Sequence, residues 1–289
     1  MAHSEAWTAR SLLLVALGSV AACMLVPYGE WLIYPFQLFG TFVHEAGHAL
    51  AALFTGGRVE SFVVNLDTSG YVRSRGGSRI FTASAGYPAS ALAGAALLYA
   101  GTRRRWATPT LVGTALATVL ITALFSGYGA SWLAFATFVA GCAALGYGRK
   151  RSRAGGSGVI WYLTGLLAIA GALAYMLVTS GLVAWAVGLS MAAVLLLVAM
   201  YAAPVVQHLT VLFLGAQLAL DGLHSIQTLF SMTRMGHAHN DAATMAQLTG
   251  IPASVWAIGW GLLSVLVVGW AIVLFWRIKS PSDRPIPRE

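Results

Sequence analysis

Long apolar blocks separated by short polar connectors dominate the sequence. Each block is close to the roughly 20 residues that a helix needs to cross the hydrocarbon core of a bilayer. The turn-like segments Ser126–Gly129 and Ser180–Gly181 are all that separates two pairs of blocks, so the pattern predicts seven to nine transmembrane helices. The candidate spans are 11–27, 31–54, 80–101, 108–125, 129–147, 159–178, 181–201, 204–230 and 252–276.

Two stretches interrupt this apolar pattern. Residues 56–78 alternate between apolar and polar positions and contain the turn sequence Asp67-Thr68-Ser69-Gly70, which predicts a β-hairpin with strands at 59–66 and 70–75. Residues 231–250 form a polar connector before the last span. The pattern therefore indicates an all-α multi-pass membrane protein with one small hairpin, forming a single integral-membrane domain over 1–289.

Composition agrees with the membrane assignment. Hydrophobic residues make up 58% of the chain, charged residues only 9%, and the mean hydropathy is +0.76, whereas soluble domains carry about 25% charged residues. The net charge is +8, but the basic residues stand at the ends of apolar blocks, as topology signals do. We therefore expect the lipid bilayer as the partner and no nucleic acid. Both cysteines, Cys23 and Cys142, lie in apolar blocks, which does not indicate a disulfide framework.

The basic residues also predict an orientation in the cell membrane. With nine spans and the N-terminus outside, 11 lysines and arginines fall on the cytoplasmic side and 6 on the outer side. The opposite orientation reverses these totals. Because positively charged loops are retained in the cytoplasm, we predict an outer N-terminus and a cytoplasmic C-terminus.

The second span carries an HExxH motif at His44, Glu45 and His48. On a helix the two histidines are one turn apart and share a face, so both imidazoles can reach one metal ion, and Glu45 can act as general base on a water molecule. The alternative is that the two histidines are only packing residues and that the HExxH pattern occurs by chance. Between Ile80 and Lys279 the only acidic residues are Asp221 and Asp241. Ionisable groups are thus rare in the spans, because they are costly to bury in a membrane. Three of them within five residues favour a function, and this ligand set suits one catalytic zinc ion.

The segment around the motif resembles a known family. FVHEAGHALAALFTGGRVESFVV, the later ASAGYPASALAGAALL and the C-terminal HNDAATMAQLTGIPASVWAIGWGLLS are similar to the site-2 protease family of intramembrane zinc metalloproteases, in its divergent short bacterial branch. The resemblance covers about 31–101 and 220–270, and residues 102–200 stay unassigned. It implies a zinc metalloendopeptidase that cleaves membrane-anchored proteins.

Two aspartates compete for the third metal ligand. Asp241, in the segment 204–276, matches the aspartate that the resembling branch has before its last span, and we favour it. Its alternative role is that of a helix N-cap residue, which it shares with Asn240. Asp221 lies in a Leu-Asp-Gly sequence similar to the motif of better-known site-2 proteases, at a depth in its span close to that of the histidines. Its alternative role is a hydrogen bond to His224, one turn away.

The segment 31–101 has two further features that suit a protease. Gly86, Ser90 and Gly94 recur every fourth residue, a spacing that lets helices approach closely, although ordinary packing explains it equally well. The predicted hairpin offers a strand edge that could hold an unwound substrate by strand addition. The rival interpretation is a non-proteolytic transporter or scaffold that retains a protease-like core.

Overall fold

The computed structural model describes residues 9–129, 131–234 and 240–277, and the side chains of residues 9, 21, 24, 25, 30 and 221–234 lie outside this description. These residues form a mostly helical bundle with a three-stranded sheet. In chain order the elements are α1 Ala9–Leu25, α2 Gly29–Phe54, β1 Arg58–Val64, β2 Gly70–Arg75, α3 Arg79–Ser84, α4 Gly86–Ala100, α5 Ala107–Phe125, β3 Gly127–Tyr128, α6 Ser131–Arg153, α7 Val159–Val178, α8 Leu182–Tyr201, α9 Pro204–Arg234, α10 Asp241–Thr249 and α11 Ala253–Arg277.

The helices support the assignment as a membrane protein. Among the described residues, five helices are long and apolar enough to cross a bilayer, whereas the predicted count of seven to nine stays a prediction. These five are Arg104–Phe125, Ser131–Arg153, Val159–Val178, Leu182–Tyr201 and Ala253–Arg277. The block expected at 80–101 is divided at Ala85 into α3 and α4. Pro88 lies in the first turn of α4, where its missing N–H cannot continue the hydrogen bonds of α3.

The expected hairpin is present and belongs to a larger sheet. β1 ends at Val64 instead of residue 66, because Asn65 already belongs to the turn and its N–H donates to the Ser69 carbonyl at 2.8 Å. A third strand, β3, was not predicted, and it pairs with β1 at Ser61. The strand order is β2-β1-β3, so β1 is central and β2 forms one edge of the described sheet.

The hairpin runs back along α2 instead of projecting beyond its end. Phe62, in β1, is fully buried, and its ring packs edge-on against Phe42 of α2 with 5.2 Å between the centroids. Near the hairpin turn, the Thr41 hydroxyl donates to the Thr68 carbonyl at 2.7 Å. Burying the apolar face of β1 against α2 therefore places β2 beside the HExxH segment.

The two ends of the described chain meet at one end of the bundle. The Arg10 guanidinium donates to the Trp276 carbonyl at 3.0 Å and lies 5.2 Å from the centroid of the Trp276 ring. Leu13 of α1 packs in one buried cluster with Leu212 of α9 and Phe275 of α11. Nine spans would put these ends on opposite sides, so this contact does not support the predicted arrangement of the termini, which stays a prediction. Hydropathy alone cannot distinguish an apolar helix that packs at one end of a bundle from one that crosses it.

Candidate metal centre

Helix α2 brings the motif side chains to the interior of the bundle. Glu45 and His48 are buried, with 4% and 6% of their surface exposed, and His44 is partly buried. The Nε2 atoms of the two histidines are 3.1 Å apart, as the one-turn spacing predicts. Gly47 lets α4 approach α2 here, because a β-carbon at this position would lie 2.5 Å from the Ala89 β-carbon.

Helix α10 adds a carboxylate to the two imidazoles. The Asn240 side chain caps this helix by accepting from the Ala243 N–H at 2.8 Å, which leaves the Asp241 carboxylate free of the capping role. Asp241 Oδ2 lies 3.1 Å from His44 Nε2 and 3.2 Å from His48 Nε2. Burial by itself would raise the pKa of Asp241, but the two adjacent imidazoles hold it well below its usual range.

The three donor atoms fit a zinc ion. Tetrahedral zinc with bonds of about 2.0–2.1 Å separates its ligand atoms by roughly 3.3 Å, close to the three distances of 3.1, 3.1 and 3.2 Å here. His48 Nδ1 donates to the Thr82 carbonyl at 2.6 Å, which orients the ring. In a neutral His48 the Nε2 lone pair then faces the negatively charged Asp241 Oδ2, and the two repel each other. A cation bound between the two atoms would remove this repulsion.

Glu45 stands beside the three donors with unused hydrogen-bonding capacity. Its Oε2 atom is buried and has no hydrogen-bond partner within the part of the chain that the structure describes. Gly70, at the start of β2, approaches so closely that a β-carbon there would lie 2.8 Å from Glu45 Oε1. An open groove of about 1180 Å³, lined by α2, β2 and α10, includes these groups in its wall.

Two residues that the sequence did not assign to the site pack directly against it. A β-carbon at Gly86 would overlap the His44 ring and would lie 2.5 Å from His48 Nε2. The Tyr87 ring packs edge-on against His44 at a centroid distance of 4.6 Å and stacks on Trp260 at 5.3 Å. The small-residue spacing indicated close packing at position 86, but it could not show that the partner is the histidine pair.

The alternative ligand Asp221 and the buried His208 both belong to α9. The side chain of Asp221 lies outside the described residues, so its role as the alternative ligand stays a prediction. His208 is buried near the start of α9, where its Nε2 donates to the Gly101 carbonyl at 2.6 Å at the C-terminal end of α4. The described groups of three or more potential metal ligands comprise only His44, His48 and Asp241.

The sequence matches the Peptidase M50B-like family over residues 14–172 and 121–271. The matched segments cover more than half of the chain and include all three donor residues. The chain therefore belongs to this family, which is a family of site-2-type proteases. Searches of curated proteins and of solved structures gave no match.

Proposed function

We propose that the protein is an intramembrane zinc metalloprotease that hydrolyses peptide bonds of membrane-anchored proteins. The observation that carries the proposal is the triangle of His44 Nε2, His48 Nε2 and Asp241 Oδ2, with sides of 3.1–3.2 Å, beside the buried Glu45 carboxylate. Membership of the Peptidase M50B-like family supports the same reaction.

The side chains have distinct roles in this proposal. His44, His48 and Asp241 hold one zinc ion, which when bound acts as a Lewis acid and lowers the pKa of a water molecule. Glu45 accepts a proton from the attacking water and delivers it to the leaving amine. The Thr82 carbonyl keeps the His48 ring in the orientation that binding requires. Gly70 leaves the space that a peptide carbonyl needs next to Glu45.

The substrate pairs with the edge of β2. Peptide bonds in a membrane helix are hydrogen-bonded within that helix, so a substrate has to unwind before hydrolysis. In antiparallel strands, hydrogen-bonded pairs of residues alternate with non-hydrogen-bonded pairs. Because Asn65 and Ser69 form a hydrogen-bonded pair, Phe62 and Val72 form a non-hydrogen-bonded pair. The backbone N–H and C=O of Val72 therefore point away from β1. These groups border the groove and are available to an added strand.

The contact between Arg10 and Trp276 leads to a revised topology. We propose eight crossings, formed by α2, α4 with α3, α5, α6, α7, α8, α9 and α11, with both ends of the chain in the cytoplasm. This arrangement puts 12 of the 17 lysines and arginines on the cytoplasmic side. The hairpin and α10 then share the outer side.

Metal analysis of the purified protein together with a cleavage assay on Glu45→Gln tests the enzymatic proposal. We expect one zinc ion per chain in both proteins, and cleavage of reconstituted single-span model proteins by the wild type only. Equal cleavage by Glu45→Gln, or a wild type without bound zinc, would refute the mechanism. Zinc binding without cleavage of any membrane protein would favour the scaffold interpretation.

A further inference from the structure

The groove wall on the β2 side is strongly basic. Tyr71, Arg73 and Arg75 share the exposed face of β2, because side chains alternate along a strand. Arg79 follows at the start of α3. The three arginines line the same groove as His44 and Asp241. Positive charge therefore extends from the candidate metal centre along one wall of the groove.

Two carboxylates of the described residues, Glu60 and Asp67, also line the groove, but Asp67 accepts hydrogen bonds from Ser69 instead of contacting these arginines. Arg75 pairs directly with Arg58 on β1, and like charges opposite each other on antiparallel strands destabilise the pair. Arg58 has an exposed partner, Glu60, at 3.9 Å. No carboxylate of the described residues forms a salt bridge with Arg73, Arg75 or Arg79. Repulsion between Arg58 and Arg75 destabilises the hairpin locally. An anionic ligand bound at this surface would neutralise that repulsion.

The spacing along β2 relates this charge to the reaction. β2 starts at Gly70, next to Glu45. With a rise of about 3.3 Å per residue, Arg73 and Arg75 lie roughly 10 and 16 Å along the strand from this point. An extended peptide paired with β2 presents alternate side chains on the face that carries both arginines.

We propose that Arg73 and Arg75 form a specificity subsite for acidic peptide segments. The preferred substrates carry Asp or Glu at two alternate positions, about three and five residues from the scissile bond. This inference rests on the proposed protease function. Anionic lipid headgroups are the rival ligand, and a peptide is favoured because the arginines line the groove of the metal centre.

The test measures peptide binding without hydrolysis. Full-length Glu45→Gln protein in phosphatidylcholine nanodiscs is titrated with short fluorescein-labelled peptides that alternate threonine with glutamate, glutamine or lysine, and anisotropy is recorded. We expect the glutamate peptide to bind roughly three- to tenfold more tightly than the glutamine peptide, as two exposed ion pairs allow. High salt should reduce the difference.

Charge reversal then locates the subsite. Arg73→Glu with Arg75→Glu should abolish the preference for the glutamate peptide, whereas Arg73→Lys with Arg75→Lys should retain most of it. The matched control is Arg149→Glu with Lys150→Glu, the same charge change at exposed positions of α6 outside the groove. This control should keep the wild-type preference.

The proposal is overturned if the glutamate and glutamine peptides bind equally, or if the α6 control loses the glutamate preference as fully as the Arg73→Glu, Arg75→Glu variant does. It is also overturned if that variant keeps the peptide preference but no longer binds phosphatidylglycerol vesicles. The last result would assign the arginines to lipid. Zinc-dependent cleavage without a peptide preference would refute the subsite alone. A peptide preference in a protein that never cleaves would refute the protease proposal alone.

Discussion

Gly86 lies so close to His44 that a β-carbon at position 86 would overlap the imidazole ring. The contact joins the first residue of α4 to the motif helix. Because Gly86 also approaches His48, any larger residue has to displace one of the two imidazoles or the start of α4. The geometry of the donor atoms thus depends on the absence of a side chain.

We predict that Gly86→Ala disrupts the metal centre. Overpacking of this kind typically costs about 1–3 kcal/mol, and here the strain falls on the donor atoms themselves. Zinc content should drop well below one ion per chain, and cleavage should fall at least about 100-fold. Gly113→Ala in α5 is the control, because its β-carbon would have no heavy atom within 4 Å. Full zinc content in Gly86→Ala would contradict the geometry.

Asp241→Ala should remove a donor atom and therefore lower zinc affinity strongly, whereas Asp221→Ala should leave one zinc ion per chain. The reason is the distance of 3.1 Å between Asp241 Oδ2 and His44 Nε2. Metal analysis after dialysis against a weak chelator measures the difference. Loss of zinc in Asp221→Ala alone would assign the third ligand to α9.

Proline at Val72 should impair substrate binding without loss of the fold. The Val72 N–H points away from β1, so proline removes an edge donor and keeps the hydrogen bonds between β1 and β2. We expect kcat/KM to fall about tenfold or more with zinc retained. Val72→Ala keeps the N–H and should retain most of the activity. Unchanged cleavage by Val72→Pro would exclude strand addition at this edge.

The role of His208 is structural. Replacing it with alanine leaves the Gly101 carbonyl without its donor, which costs about 1–3 kcal/mol for a buried group. Thermal unfolding in detergent should show the lower stability, and zinc content per folded chain should not change. A stoichiometric loss of zinc in the folded His208→Ala protein would connect this residue to the metal centre.

Reporter fusions test the topology that follows from the Arg10–Trp276 contact. Green fluorescent protein should fluoresce at either end of the chain, because it folds in the cytoplasm. Alkaline phosphatase inserted in the hairpin turn at Thr68 should be active, since that enzyme requires the outer side. An active phosphatase fusion at the N-terminus would restore the nine-span arrangement.

Much of the local structure was predictable from the sequence. The apolar blocks correspond to helices, and the alternation after Gly57 indicated the hairpin. The strand end at Val64 and the added strand Gly127–Tyr128 were missed. A two-residue strand has no periodicity of its own, and its pairing with Ser61 depends on where α5 ends in space.

The sequence by itself determined that the chain is a membrane protein and that His44 and His48 share one helix face with Glu45 beside them. Both follow from local rules, namely hydropathy over about 20 residues and the period of the α-helix. Only the tertiary structure shows which distant groups lie beside the two histidines. Asp241 is 197 positions from His44, and Gly86 reaches the histidines through helix packing. Such contacts depend on how distant elements fold together, which no local pattern specifies.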